Sequence, residues 1–286
     1  MWIFLNDRFV DEKDAVVSVF DHGFLYGDGV YETLRAYGGR IFKRDEHLAR
    51  LRRSGRMIGL EVPVPEKDWP ALLQDAMRRN GLTDAYIRIT VSRGAGEIGL
   101  DPALCPRPTV VLIARPFRAY PTHLFTEGVR LALVSVRRNL ATALNPQIKS
   151  LNFLNNILAK QEATRAGAFD ALMLNADGVL TECTTSNLFF VRHGCLCTPS
   201  VACSILDGVT RGTVLQLARE HGIQTEEGAY TPETLLEADE CFLTNTTMEI
   251  APVRAINQTA FGSACPGPLT SRLRELFHQN IDRFLS

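Results

Sequence analysis

The 286 residues predict a mixed α/β (α+β) chain of two domains. Three observations carry this reading. Short stretches alternate apolar and polar residues with period two, as half-buried strands do. Apolar stripes at helical spacing lie between them. The polar, turn-rich stretch RAYPTHLFTEG then separates two such mixed regions. We therefore expect a small N-terminal domain over residues 1–118, a linker over 119–130 and a larger C-terminal domain over 131–286.

Along the chain, MWIFLNDRFV and AVVSVFDHGFLYGDGVYETLRAYGGRIF read as antiparallel strands around glycine-containing turns. A helix follows, capped by Asp45, with Leu48, Leu51, Gly55 and Ile58 on one stripe. That spacing puts Arg50 on the solvated face beside Arg52, Arg53 and Arg56. A second helix over about 69–80 and the strands AYIRITVSR and PTVVLIARPF complete the first domain. In the second, VRLALVSVRRN is a strand, and NPQIKSLNFLNNILAKQEA places Lys149 between a proline-broken strand end and the first turn of an apolar helix, at the helix amino terminus. FDALMLNADGVLTECTTSNLFFVRHGCLCTP then supplies three strands. Helices at about 209–221 and 231–238, the strand DECFLTN and a terminal helix from Pro268 follow. Such a mixture differs from the strict βα alternation of a parallel nucleotide-binding sheet.

Composition narrows the function. A net charge of −1, with Arg and Glu interleaved, argues against a nucleic-acid surface. No apolar run approaches the roughly 20 residues of a membrane helix, and the start lacks a signal-peptide pattern. A cytoplasmic protein is expected. The seven cysteines are scattered without CxxC spacing, so neither a disulfide framework nor a zinc site is indicated, and no metal is expected. GAGEIG, Gly94 to Gly99, matches GxGxxG, but the prolines after it stand where a dinucleotide-binding helix would begin.

Lysine usage is more telling. Only Lys13, Lys43, Lys67, Lys149 and Lys160 occur among 31 basic residues. Four have polar or charged neighbours, whereas Lys149 has Ile148 before it and Leu151, Phe153 and Leu154 after it. Apolar neighbours and a helix amino terminus both disfavour an ammonium and favour a nucleophilic amine. From the local sequence alone, a lysine snorkelling from a strand end explains the same residues.

YGDGVYETLRAYGGRIFKRDEHLARL, IKSLNFLNNILAKQEA, LTECTTSNLFFV, LDGVTRGTVLQLARE, ADECFLTNTTMEIAPV and CPGPLTSRL occur in colinear order. Together they resemble the fold-type IV (class IV) pyridoxal-phosphate aminotransferases, most closely the branched-chain amino acid enzymes. The resemblance implies a two-domain enzyme that binds pyridoxal 5'-phosphate between a small N-terminal and a larger C-terminal domain, as a homodimer. Lys149 matches the family lysine that carries the cofactor covalently and then moves the substrate proton. Glu182 matches the carboxylate facing the pyridine nitrogen. Arg50, Asn187, Val209, Thr210 and Thr246 match cofactor-binding positions, with Arg50 as the phosphate arginine. Tyr31, Arg88, Thr247 and Met248 match the substrate side, with Phe24 and Met248 as candidate apolar walls.

The implied reaction is transamination between an amino acid, a branched-chain L-amino acid favoured, and 2-oxoglutarate or another 2-oxo acid. Those small molecules are the expected partners, with no nucleic acid and no membrane. The resemblance also leaves open a D-amino acid aminotransferase or 4-amino-4-deoxychorismate lyase. Phe153 replaces the usual branched-chain tyrosine, and TECTTSN is closer to those two subgroups. Against the D-enzymes, the loop after SRG lacks their Arg-x-His arrangement.

Overall fold

The computed structural model describes residues 1–286. They form two compact units, one of Met1–Arg118, Ile148–Asn152 and Arg283–Ser286, the other of Ala119–Gln147 and Phe153–Asp282.

The first unit contains β1 (Trp2–Leu5), β2 (Arg8–Asp11), α1 (His22–Tyr26), β3 (Gly29–Tyr37), β4 (Arg40–Ile41), α2 (Arg44–Met57), α3 (Trp69–Arg79), β5 (Ala85–Ser92) and β6 (Thr109–Pro116). Its six-stranded sheet has the order β2-β1-β6-β5-β3-β4, every pair antiparallel. Alternate strand residues, among them Val30, Leu34, Ile87, Ile89 and Leu112, are buried with Leu48 and Leu51 of α2 and Trp69, Leu73 and Met77 of α3. The spacing 69, 73, 76, 77 makes one apolar stripe on α3, which is why this helix was legible.

Two readings of this unit are corrected. Helix α2 starts after Lys43, itself left-handed at φ 48°, so Asp45 lies in the first turn instead of capping it. Arg50 is only 4% exposed, not solvated, because a buried carboxylate on β3 draws it inward. GAGEIG begins no helix. Gly94 has φ +100°, and a Cβ there would meet the Arg107 carbonyl oxygen at 1.8 Å, so close backbone approach requires the glycine.

The lysine segment also differs from its sequence reading. Residues 148–152 are irregular apart from one isolated bridge at Ser150, and the helix begins only at Leu154. Tyr31 N–H donates to the Lys149 carbonyl and Leu151 N–H to that of Gly29, both at 2.9 Å, with Val30 bridging Ser150. The segment thus pairs with the start of β3. Its backbone partners and the packing of Ile148 into the first core place it in that unit.

The second unit contains α4 (His123–Thr126), β7 (Val129–Leu133), α5 (Leu154–Arg165), β8 (Asp170–Leu174), β9 (Leu180–Cys183), β10 (Asn187–Arg192), β11 (Cys195–Pro199), α6 (Val209–Glu220), β12 (Thr225–Gly228), α7 (Pro232–Leu236), β13 (Glu240–Asn245), β14 (Glu249–Ile256), β15 (Thr259–Ala260) and α8 (Pro268–Asn280). The sheet runs β12-β11-β10-β13-β14-β7-β8-β9, with β15 on β14. Parallel pairs (β11 with β12, β14 with β7, β7 with β8) mix with antiparallel ones. The stretch expected as three strands holds four, β8 to β11, because residues 184–186 break β9 from β10. Residues 119–130, read as a linker, contain α4 and the start of β7 and pack with this unit. Helices α6 and α8 lie on β13. The buried Glu240 carboxylate accepts the Leu269 and Thr270 amides at 2.9 and 2.7 Å, satisfying the start of α8. No helix is long and apolar enough to cross a membrane.

Candidate active site

In the first unit, strand periodicity decides which groups meet. Tyr31 lies beside Lys149 next to the isolated Val30–Ser150 bridge, and the Lys149 Nζ stands 4.4 Å from the Tyr31 ring centroid. Register sets Thr33 opposite Arg88 and Tyr31 opposite Thr90. The Arg88 guanidinium carbon is 4.2 Å from the same ring, and Arg88 Nε donates to Thr90 Oγ1 at 3.2 Å. Three residues singled out in the sequence are therefore gathered, two cations attracted to one aromatic ring. The Lys149 backbone is pinned from α2 as well, its N–H donating to Ser54 Oγ at 3.1 Å. Lys160 instead is exposed on α5 and donates to the Phe169 carbonyl. Phe24 is exposed on α1.

Glu32, the next residue of β3, points to the opposite face, where α2 packs. Its oxygens accept Arg50 Nε at 2.6 Å and a terminal Arg50 nitrogen at 2.9 Å, while His47 Nδ1 lies 2.8 Å from the second oxygen. Burial alone pushes the Glu32 carboxyl up, but Arg50 and His47 outweigh it and hold it well below the usual carboxylate range. Burial lowers His47 more than Glu32 raises it, so the imidazole stays neutral more readily than a free one. Its Nε2 is buried without a partner. The Arg50 fork thus grips two oxygens, as expected, but here they are those of Glu32.

In the second unit, Glu182 lies one residue before the end of β9 as a buried carboxylate with both oxygens engaged. Oε1 accepts Arg138 Nε and a terminal Arg138 nitrogen at 3.1 and 2.9 Å, and Oε2 accepts Asn187 Nδ2 at 3.1 Å and the Leu206 amide at 3.0 Å. Asn155 and Asn156 of α5 accept from the same arginine at 3.4 and 3.3 Å. Asn187 also donates to the Leu206 carbonyl at 2.9 Å, and a Cβ on Gly208 would lie 2.0 Å from Asn187 Oδ1. Gly208 is the N-cap of α6 and offers no side-chain cap. The Val209 and Thr210 amides precede the first intrahelical bond, Gly212 N–H to the Gly208 carbonyl, and sit at the positive end of the helix dipole.

Three hydroxyls around Asn187 are buried without a hydrogen-bond partner: Ser186 before it, Thr244 across the strand pair, and Thr210 in α6. Buried hydroxyls without partners are uncommon. Together with the free helix amides they form a donor set suited to a phosphate or another oxyanion. The residues fit a phosphorylated cofactor on this ground. Thr246 opens the β13–β14 turn, half-buried. The Thr247 and Met248 amides both donate to Asn245 Oδ1, at 3.0 and 2.7 Å, and Thr247 Oγ1 lies 3.1 Å from the Tyr120 hydroxyl.

Sequence reasoning missed Glu32, His47, Ser54, Arg138 and Asn245. A polar stripe at 47, 50 and 54, lying beside the apolar stripe of α2, could have revealed two of them. Nothing local separates Arg138 from Arg137.

The chain belongs to the class IV amino-transferases, whose family model matches residues 29–256. A Methanocaldococcus jannaschii protein assigned as a branched-chain-amino-acid aminotransferase is 46% identical over 277 residues, 97% of this chain and 95% of that protein. The D-alanine aminotransferase of Bacillus licheniformis is 35% identical over 98% of this chain and 97% of its own length. Among solved structures, the T.th. branched-chain amino acid aminotransferase with pyridoxamine 5'-phosphate superposes with a TM-score of 0.95 at 32% identity, covering 100% of this chain and 97% of that one.

Proposed function

We propose that the protein moves the amino group of a branched-chain L-amino acid to 2-oxoglutarate, with pyridoxal 5'-phosphate as cofactor. The observation that carries this reading is the pairing of Lys149 with Tyr31 and Arg88 on one strand face. The bound cofactor supplies the electron sink that makes the substrate Cα proton removable. Lys149 holds the cofactor and, once released, takes and returns that proton. Glu182, kept in place by Arg138 and Asn187, serves as the counter-charge to a protonated ring nitrogen. The Val209 and Thr210 amides and the Thr210 and Thr246 hydroxyls hold the phosphate. Arg88 takes a substrate carboxylate, as a planar guanidinium can in two bonds. Using the Thr247 and Met248 amides as well requires the Asn245 side chain to release them.

The branched-chain preference is supported by the higher identity to the archaeal relative than to the D-alanine enzyme. Seven unpaired cysteines suit a reducing cytoplasm. A homodimer is in keeping with the exposed apolar Phe24, Ile98 and Leu100 of the first unit. A panel of L- and D-amino acids, followed by loss of the cofactor's visible absorption, tests the specificity. L-leucine, L-isoleucine or L-valine should react faster than D-alanine, and Arg88→Ala should slow the reaction with 2-oxoglutarate. Faster reaction of D-alanine overturns the branched-chain assignment, and release of pyruvate from aminodeoxychorismate without a 2-oxo acid points to the lyase.

A further inference from the structure

Strand β11 carries Cys195 and Cys197 two residues apart, so both thiols leave the same side of the sheet. Parallel pairing sets Cys197 opposite Glu226 on β12. The two Sγ atoms and a Glu226 carboxylate oxygen lie within 4.8 Å of one another. Zinc bound by thiolates at about 2.3 Å and a carboxylate at about 2.0–2.2 Å in tetrahedral geometry needs ligand separations of roughly 3.5–3.8 Å, within reach of small side-chain rotations.

The surroundings suit an ion. Tyr230 hydroxyl donates to Glu226 Oε1 at 3.0 Å, and the Tyr230 ring packs edge-on against Phe190 at 4.9 Å, so the carboxylate is held from behind as outer partners hold metal ligands. Cys197 is buried, Cys195 half-buried and Glu226 exposed, which leaves one open side for entry and for a water as fourth ligand. The cluster lies at the opposite end of β10 from Asn187, since Cys195 pairs with Arg192. It joins β11 to the edge strand β12, whose Thr-Glu-Glu-Gly sequence offers no β-branched or aromatic residue beyond one threonine to hold it in the sheet.

We propose that Cys195, Cys197 and Glu226 bind one thiophilic divalent cation of the zinc and cadmium class, clipping β12 to β11. Both thiols lose their protons to solvent as two metal–sulfur bonds form, so affinity rises with pH. Titration of the reduced holoenzyme with cadmium ion alone tests this. One cadmium per chain should bind, with a thiolate-to-cadmium charge-transfer band in the ultraviolet, two protons released, a higher Tm and an unchanged transamination rate. Cys197→Ser and Cys195→Ser should each abolish the band, Glu226→Gln should weaken binding about tenfold or more, and Cys203→Ser should change nothing. If buried Cys197→Ser does not fold, the half-buried Cys195→Ser decides. No stoichiometric band, or a band that survives Cys195→Ser, overturns the proposal.

Discussion

Glu32, His47 and Arg50 form one buried electrostatic unit, and their cost and benefit are set together. Removing the carboxylate leaves the Arg50 charge buried with its bidentate partner gone. Glu32→Gln should therefore destabilise the chain by about 3–5 kcal/mol in urea unfolding, far more than a surface pair would. The pH dependence has a definite sign. His47 is lowered in the folded state, so the unfolded chain takes up its proton first. The stability it contributes is full above about pH 6.5 and declines as pH falls below that. Glu32 is lowered too, so its contribution is full above about pH 4.3 and is lost only in stronger acid. Replacing His47 by Gln should flatten the loss of urea stability between pH 6.5 and 5, a window of roughly one to two units below the free imidazole value. An unchanged slope would mean that His47 is charged in the fold. At Glu182, the Arg138 pair predicts that Arg138→Leu lowers turnover more than cofactor retention, measured as kcat against bound pyridoxal phosphate, because the carboxylate loses its fixed orientation.

At the scale of elements, two short segments position the chemistry. The segment 148–152 is tied to β3 by backbone bonds and to α2 by Ser54. Ser54→Ala leaves the Lys149 amide without its acceptor and should cost about 1–3 kcal/mol in stability. The start of α6 is fixed by the contact of Gly208 with Asn187. Gly208→Ala forces these apart, and we expect weaker cofactor binding with little change in secondary structure, checked by spectral titration and circular dichroism. Elements with a one-sided apolar stripe, such as α3, could be read directly from spacing. Others could not. Strand β14 contains Pro252 and starts at Glu249 with φ +58°, and β12 is too polar to show a strand pattern. The apolar run Leu151, Phe153, Leu154 brings the expected helix start up to Lys149, whereas the backbone bonds that hold this segment depend on Gly29 and Tyr31, far away in sequence. Arg50 was placed on the solvated face for the same reason, since the carboxylate that draws it inward lies 18 residues back on another element.

For the whole molecule, family membership and the two sets of site residues support one account. The first unit supplies a lysine, an aromatic ring and an arginine on one strand face, and the second supplies a fixed carboxylate and an oxyanion cradle. We assign to them the needs of pyridoxal-phosphate transamination: a covalent anchor that doubles as base, a ring-nitrogen partner and a phosphate grip. The central claim is that the anchor is Lys149, and borohydride reduction of the purified holoenzyme followed by peptide mapping tests it most directly. The account predicts pyridoxal phosphate fixed on the peptide containing Lys149, with Lys149→Ala unable to turn over repeatedly. Fixation on the Lys160 side chain instead, with Lys149 unmodified, would contradict it.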